Sequence, residues 1–232
     1  MYFFLWCAGI DFELIEHDPY NKSEEWLKIN PRGLVPVIIY EGKSIYESPV
    51  CIEFVEDLFP EKSPHLLPQD PYLKAKPRLL SDHLSKKVVP LLWAIMLKQT
   101  AEEQNEGKVA LVKGIIELMR DADQTGPFLM GAEPSLPDFM LAPFAWRIDV
   151  VLPYYRDFSV PGNGKSSNMD LSEDDLKQLR KYHEWYANFR KRDSFTKTLV
   201  SDEKIIESLR KYANNTAKSQ VAQSVNKGTA AP

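Results

Sequence analysis

Apolar positions along the chain fall into two regimes. From Asp11 to Phe59 they come in short runs of mixed character. Phe12, Leu14 and Ile15 within the stretch 11–17 predict a strand. The stretch 21–29 predicts a short helix, ended by the turn cluster Asn30-Pro31-Arg32-Gly33. Leu34-Val35-Pro36-Val37-Ile38-Ile39-Tyr40, then Glu41-Gly42, then Lys43-Ser44-Ile45-Tyr46 read as a β-hairpin. Ser48-Pro49 opens the next helix, with a hydroxyl to cap free N–H groups and proline at the first helical position. Cys51, Phe54, Val55 and Leu58 follow at i, i+3, i+4 and i+7, which gives that helix one buried face.

The second regime begins after Phe59–Pro71, where Pro60, Pro64, Pro68 and Pro71 interrupt any regular element. Beyond it the strand signals vanish. Leu73–Lys98 carries a long helical pattern, kinked or restarted near Pro77 and Pro90, and Glu102–Asp123, Ser135–Val151, Ser172–Phe189 and Asp202–Tyr212 complete at least five helices. Arg156–Asp170 reads as a surface loop. Residues 213–232 hold almost no large apolar side chain and are expected to be a disordered tail. The expected organisation is a mixed small domain over 1–60, a linker over 61–70, a helical domain over 71–212 and the tail. That is an α/β plus all-α architecture.

Composition narrows the classes. Apolar residues are 44% of the chain and charged residues 27%, as in a globular domain. The 29 basic and 33 acidic side chains give a net charge of −4, which supplies no electrostatic footprint for nucleic acid or an anionic membrane. Met1–Ile10 is apolar, but no basic flank precedes it, and Asp11 and Glu13 end it well short of a membrane span. Cys7 and Cys51 alone form no disulfide framework, which points to a reducing, cytoplasmic compartment. The four histidines show no metal-ligand spacing, so no metal is expected.

Three short motifs carry possible chemistry. In Leu34-Val35-Pro36-Val37, a cis Val35–Pro36 bond would leave the backbone N–H and C=O of Val35 turned to solvent, able to grip a peptide as an added strand does. An ordinary trans proline at a strand start is the other reading. At Glu47-Ser48-Pro49, the helix N-terminus and the Ser48 hydroxyl could hold a carboxylate while Glu47 pairs an amine, which together suit an α-amino acid head group. Plain capping is the alternative there. Ser135-Leu136-Pro137-Asp138 is a capping box with a structural role only.

Taken together, Asn30-Pro31-Arg32-Gly33-Leu34-Val35-Pro36-Val37, Glu47-Ser48 and Ser135-x-x-Asp138 occur in an order and spacing that resembles the cytosolic glutathione transferases. Tyr46-Glu47-Ser48-Pro49, Phe54-Val55-Glu56 and Leu67-Pro68-Gln69-Asp70-Pro71-Tyr72-Leu73-Lys74-Ala75 look most like the omega class. The resemblance covers Gly9 to about Tyr212. It implies a thioredoxin-like N-terminal domain followed by the helical domain of that family, with glutathione as co-substrate, a small electrophile or disulfide as second substrate, and a homodimer. It also implies roles for particular residues. Val35, ahead of a cis Pro36, would bind the cysteinyl backbone of glutathione, Glu47 and Ser48 its γ-glutamyl end, and Lys22 its glycyl carboxylate. Phe144 and Arg147 would line the second-substrate pocket.

Omega enzymes carry their nucleophile in a Cys-Pro-aromatic motif between the first strand and first helix. Aligned on Gly9-Ile10, that motif would fall upstream of Met1, with the first strand, so the small domain is expected to lack both. Cys51 lies near a helix N-terminus, which lowers a thiol pKa, but it belongs to the apolar stripe and reads as a packed, inert thiol. A Cys7–Cys51 bond is conceivable in the implied fold. No residue is therefore assigned as catalytic. The implied chemistry is thiol transfer, dehydroascorbate reduction or deglutathionylation; the alternative is a non-catalytic module that keeps the transferase fold for binding.

Overall fold

Local signals at each end of the hairpin fix the small domain. In the computed structural model, which describes residues 4–5, 8–17, 22–62, 65–164 and 168–229, Ser23 caps α1 (Glu24–Ile29), its hydroxyl accepting from the Trp26 N–H at 3.1 Å. β1 (Val37–Tyr40) and β2 (Lys43–Tyr46) pair antiparallel, with Val37 opposite Tyr46 and Tyr40 opposite Lys43. The turn between them puts Glu41 at φ 49° and Gly42 at φ 75°, the two left-handed positions that match the twist of a tight hairpin. α2 (Ser48–Leu58) then buries Cys51, Ile52 and Val55. Its Phe54 ring meets Tyr40 of β1 edge-on at 6.0 Å.

The helical domain comprises α3 (Pro71–Lys87), α4 (Val89–Leu97), α5 (Ala101–Asp121), α6 (Leu136–Arg156), α7 (Glu173–Arg190), α8 (Asp193–Thr196), α9 (Asp202–Ala213) and α10 (Gln220–Lys227). Side-chain caps start several of them: Asp70 accepts from the Leu73 N–H at 2.9 Å, and Thr100 and Ser172 cap α5 and α7. At Gly114 of α5 a Cβ would lie 2.4 Å from the Lys87 carbonyl, so only glycine lets α5 approach the α3–α4 corner this closely. One apolar core runs through both parts of the chain, from Phe4, Ile52 and Val55 to the helices α3 to α7 and α9. Phe4, fully buried, sets its ring edge-on to Phe139 of α6 at 5.4 Å. The architecture is a thioredoxin-like N-terminal domain with a two-stranded sheet, followed by a helical domain.

Three elements depart from the sequence expectation. Residues 11–17 form no strand: the sheet found among the described residues is the β1–β2 pair, and Leu14 and Ile15 are 53% and 60% exposed. An alternating pattern becomes a strand only where a ladder partner takes its backbone groups and a core takes one face. Neither is offered there, so the segment stays solvated. The chain restarts at Pro90 as expected, but α3 continues through Pro77 without a restart, and the ring of that proline is buried. Burial of that ring offsets the one ladder bond the proline removes. Third, the tail expected to be disordered carries α10, capped by Ser219 and closed by Gly228 at φ 66°. Ala217 and Ala222 pack with Leu97 in a small satellite core. Small residues suffice because α4 provides the apolar surface. Cys7, and with it the conceivable Cys7–Cys51 bond, lies outside the described residues. Among the described residues no helix is long and apolar enough to cross a membrane.

Candidate functional site

The site begins with Asn30, fully buried at the end of α1. Its side-chain amide donates to the Leu34 carbonyl at 2.7 Å, and its Oδ1 accepts from the Arg32 N–H at 3.1 Å. Gly33, at φ 61°, donates its N–H to the Asn30 carbonyl at 2.8 Å. One buried side chain therefore folds the loop 30–34 into a single shape. Lys22 lies on that loop: a Cβ at Gly33 would stand 2.8 Å from its Cδ and 3.0 Å from its Nζ. No carboxylate lies within 4 Å of the Lys22 ammonium among the described residues.

The loop delivers Val35, 65% exposed, into a cis peptide with Pro36. The N–H and C=O of Val35 make no hydrogen bond among the described residues. Strand pairing of Val37 with Tyr46 then sets Pro36 and Glu47 side by side at the same end of the hairpin. Arg32 closes the patch, its Nη1 donating to Glu47 Oε1 at 2.6 Å and its guanidinium lying 5.4 Å over the Tyr46 ring.

Ser48 differs from expectation by one position. It is the first residue of α2, and Glu47 occupies the cap, at φ 73°, without a capping side chain. A non-glycine residue in that region costs on the order of 1–3 kcal/mol and tends to mark a functional constraint. The Ser48 hydroxyl is not spent on capping and has no partner among the described residues. Val35, Pro36, Glu47 and Ser48 thus gather at one end of the hairpin, with an anion, a hydroxyl, a helix N-terminus and a free backbone edge, and Lys22 lies against the loop that leads into it.

Phe144 and Arg147 stand elsewhere, on α6, which packs against α2. Arg147 donates to the Pro143 carbonyl at 2.7 Å and its guanidinium lies 5.8 Å from both the Phe144 and Trp146 rings. Burial pulls it below the usual arginine range. Among the described residues no hydrogen bond, ion pair or ring contact joins this pair to the N-terminal patch. Two cavities, of about 240 and 440 Å³, lie along α7 near Phe128 and between α5 and Met169, and neither is lined by any of these residues.

Cys51 is fully buried, its Sγ donating to the Ile45 carbonyl at 3.4 Å. Burial pushes the thiol up to about 11, against the pull of the Ile38 backbone N–H. It is therefore a neutral thiol at pH 7–8, and thiolate forms only as pH approaches 11. Carbamidomethylation of native Cys51 at pH 8, read by peptide mapping so that Cys7 is scored separately, should run at least ~100-fold slower than that of a free thiol of pKa ≈ 8.5. A rate within tenfold of the denatured chain would contradict this packing. Among the described residues, no group of three or more metal-binding side chains occurs.

By sequence alone Arg32 and Asn30 read only as turn residues. Nothing local signals the Arg32–Glu47 pair, because its partners lie 15 positions apart and the hairpin brings them together.

Comparison with known proteins places this arrangement in a class. The glutathione S-transferase N-terminal domain family matches residues 2–58, and the glutathione S-transferase C-terminal domain family matches residues 101–188. The chain is 34% identical to the solved omega 3C glutathione transferase of Trametes versicolor, covering 86% of this chain and 82% of that one with a TM-score of 0.69. It belongs to the glutathione transferase family. Within that family it is omega-like: mouse glutathione S-transferase omega-1 is 32% identical over 146 residues, which are 62% of this chain and 60% of that protein. A rice glutathione S-transferase solved in complex with glutathione is 25% identical, with a TM-score of 0.72 over 89% of this chain and 88% of that one.

Proposed function

We propose that the patch at Lys22, Val35, Glu47 and Ser48 binds glutathione, for omega-type thiol transfer. The observation that carries this reading is the set of unspent groups gathered there: the Val35 backbone edge and the Ser48 hydroxyl, beside Glu47 and the Lys22 ammonium. A tripeptide with a thiol at its centre and charges at both ends matches that set. The backbone N–H and C=O of Val35 pair with the cysteinyl residue in the manner of an added strand. Ser48 and the first-turn N–H groups of α2 take the γ-glutamyl carboxylate, Glu47 its ammonium, and Lys22 the glycyl carboxylate. The rice relative solved with glutathione supports the ligand assignment. Phe144 and Arg147 would face the second substrate, and family likeness supports a homodimer.

Omega-type chemistry runs by thiol–disulfide exchange. A protein thiolate attacks one sulfur of a mixed disulfide, a new S–S bond forms, the other sulfur leaves as thiolate, and glutathione thiolate then resolves the protein disulfide. Cys51, neutral and buried, does not serve as that thiolate. The chain is therefore expected to bind glutathione, and its turnover of a glutathione mixed disulfide is expected to be unchanged by Cys51→Ala.

Calorimetric titration tests the site. Ser48→Ala removes a hydrogen bond to a charged group, worth ~1.5–3 kcal/mol, and should weaken glutathione binding roughly tenfold or more. Failure of the unaltered chain to bind millimolar glutathione, or equal affinity in the Ser48→Ala chain, would overturn the assignment. Strong turnover abolished by Cys51→Ala would overturn the account of the thiol.

A further inference from the structure

We propose that Arg32 is a recognition residue for the α-carboxylate of the γ-glutamyl group, closing a ring of alternating charges with Glu47. The proposal rests on the reading of this patch as a glutathione site and assigns to it a side chain that reads from the sequence only as part of a turn.

The backbone of Arg32 is held from two sides. Its N–H is bonded to Asn30 Oδ1, and its carbonyl accepts from the Gln220 side-chain amide of α10 at 3.4 Å. The side chain lies over the Tyr46 ring and meets Glu47 through one nitrogen only. A guanidinium presents five N–H donors, so four are unspent among the described residues. Glu47 likewise keeps its second carboxylate oxygen. Both side chains are well exposed, 58% and 41%, and an exposed pair contributes little to stability. The fold has no structural need of it.

The pair does suit an α-amino acid head group, which carries an ammonium and a carboxylate on one carbon. Glu47 holds Arg32 with one oxygen and offers the other to the ammonium. Ser48 and the α2 N-terminus take one edge of the carboxylate, and the free N–H groups of Arg32 take the other. Charges then alternate around the ring, so neither Glu47 nor the ligand carboxylate faces a like charge. Arginine serves here where lysine would not, because its planar fork reaches two carboxylates at once.

Two glutathione analogues separate the contacts. In 4-aminobutyryl-Cys-Gly the ammonium is kept and the α-carboxylate is missing; in glutaryl-Cys-Gly the carboxylate is kept and the ammonium is missing. Calorimetry on Arg32→Ala should show glutathione and glutaryl-Cys-Gly weakened about tenfold, with 4-aminobutyryl-Cys-Gly unchanged or tighter. Arg32→Lys should recover less than half of the lost affinity on a logarithmic scale. Unchanged or tighter glutathione binding by Arg32→Ala would mean that Arg32 only occludes Glu47, and would overturn the proposal. Equal weakening of all three ligands would also overturn it, by showing that Arg32 merely shapes the loop. If the unaltered chain fails to bind glutathione, the site assignment itself falls, whereas the first two outcomes leave it standing.

Discussion

Asp138→Ala is expected to lower stability by about 3–5 kcal/mol, because it removes the shared acceptor of a buried hydrogen-bond cluster. Asp138 is completely buried and receives four hydrogen bonds, two on each oxygen. Oδ1 accepts from the Leu129 N–H at 2.9 Å and the Trp185 indole at 2.7 Å; Oδ2 accepts from the Ser135 N–H at 2.8 Å and its hydroxyl at 2.7 Å. Burial pushes the carboxyl above its usual range, and these four donors offset that rise only in part. The side chain therefore does more than cap α6. It ties the start of that helix to the turn before it and to α7, 47 residues later in the chain. Alanine would strand four buried donors and open a polar cavity. At ~2–4 °C per kcal/mol for a domain of this size, the melting midpoint should fall by about 10 °C. Asp138→Asn keeps the shape but turns an NH₂ group toward two donors, so it should recover only part of the loss. Denaturant unfolding followed by circular dichroism measures both, and a loss below about 1 kcal/mol would refute this account.

Arg156→Leu should cost about 2–4 kcal/mol, and the damage should be local to the C-terminal helices. The last carbonyls of an α-helix have no partner within the helix. Arg156, at the end of α6, supplies donors to those of two others: Nε to the Ile95 carbonyl at 2.9 Å, and Nη2 to the carbonyls of Met96 and, at 2.8 Å, Ala213. Gln99 completes the set, donating to the carbonyls of Leu97 at 2.8 Å and Ala213 at 3.0 Å. Leucine fills the volume but leaves the Ile95 and Met96 carbonyls without these donors, and of the two side chains that join Ala213 to the end of α4 it leaves Gln99 alone. Hydrogen exchange should rise across residues 202–229 ahead of the remainder of the helical domain. Arg156→Lys should recover under half of the stability, since one ammonium cannot reproduce a fork that reaches four carbonyls, that of Tyr155 included. Uniform exchange behaviour in the Leu variant would exclude a local clamp.

These two residues illustrate what can be read from the chain. The Ser135–Asp138 capping box is legible because its partners are three positions apart. Trp185 as a further donor is not. Arg156 reads as the first residue of a surface loop, and its partners lie up to 61 positions away. The same division holds at the candidate site. The Glu41-Gly42 turn, the apolar stripe of α2 and the Glu47-Ser48-Pro49 helix start are local patterns, while the pairing of Arg32 with Glu47 needs the hairpin to close. The helix at 220–227 is hidden from a sequence reading because its buried residue is an alanine, and the surface that orders it belongs to α4.

By itself the sequence determined the order of elements, the turn and cap chemistry, and the two-part architecture, because each depends on residues within about one helical turn or one hairpin of each other. Only the tertiary structure decided which of those elements persist and which polar groups stay unspent. The alternating segment at 11–17 carries a strand pattern yet forms no strand, and a tail poor in large apolar residues folds on a neighbour's surface. The physical reason is common to both: hydrogen-bond partners and buried area are supplied by distant parts of the chain, and a segment's own pattern cannot state whether they will be there.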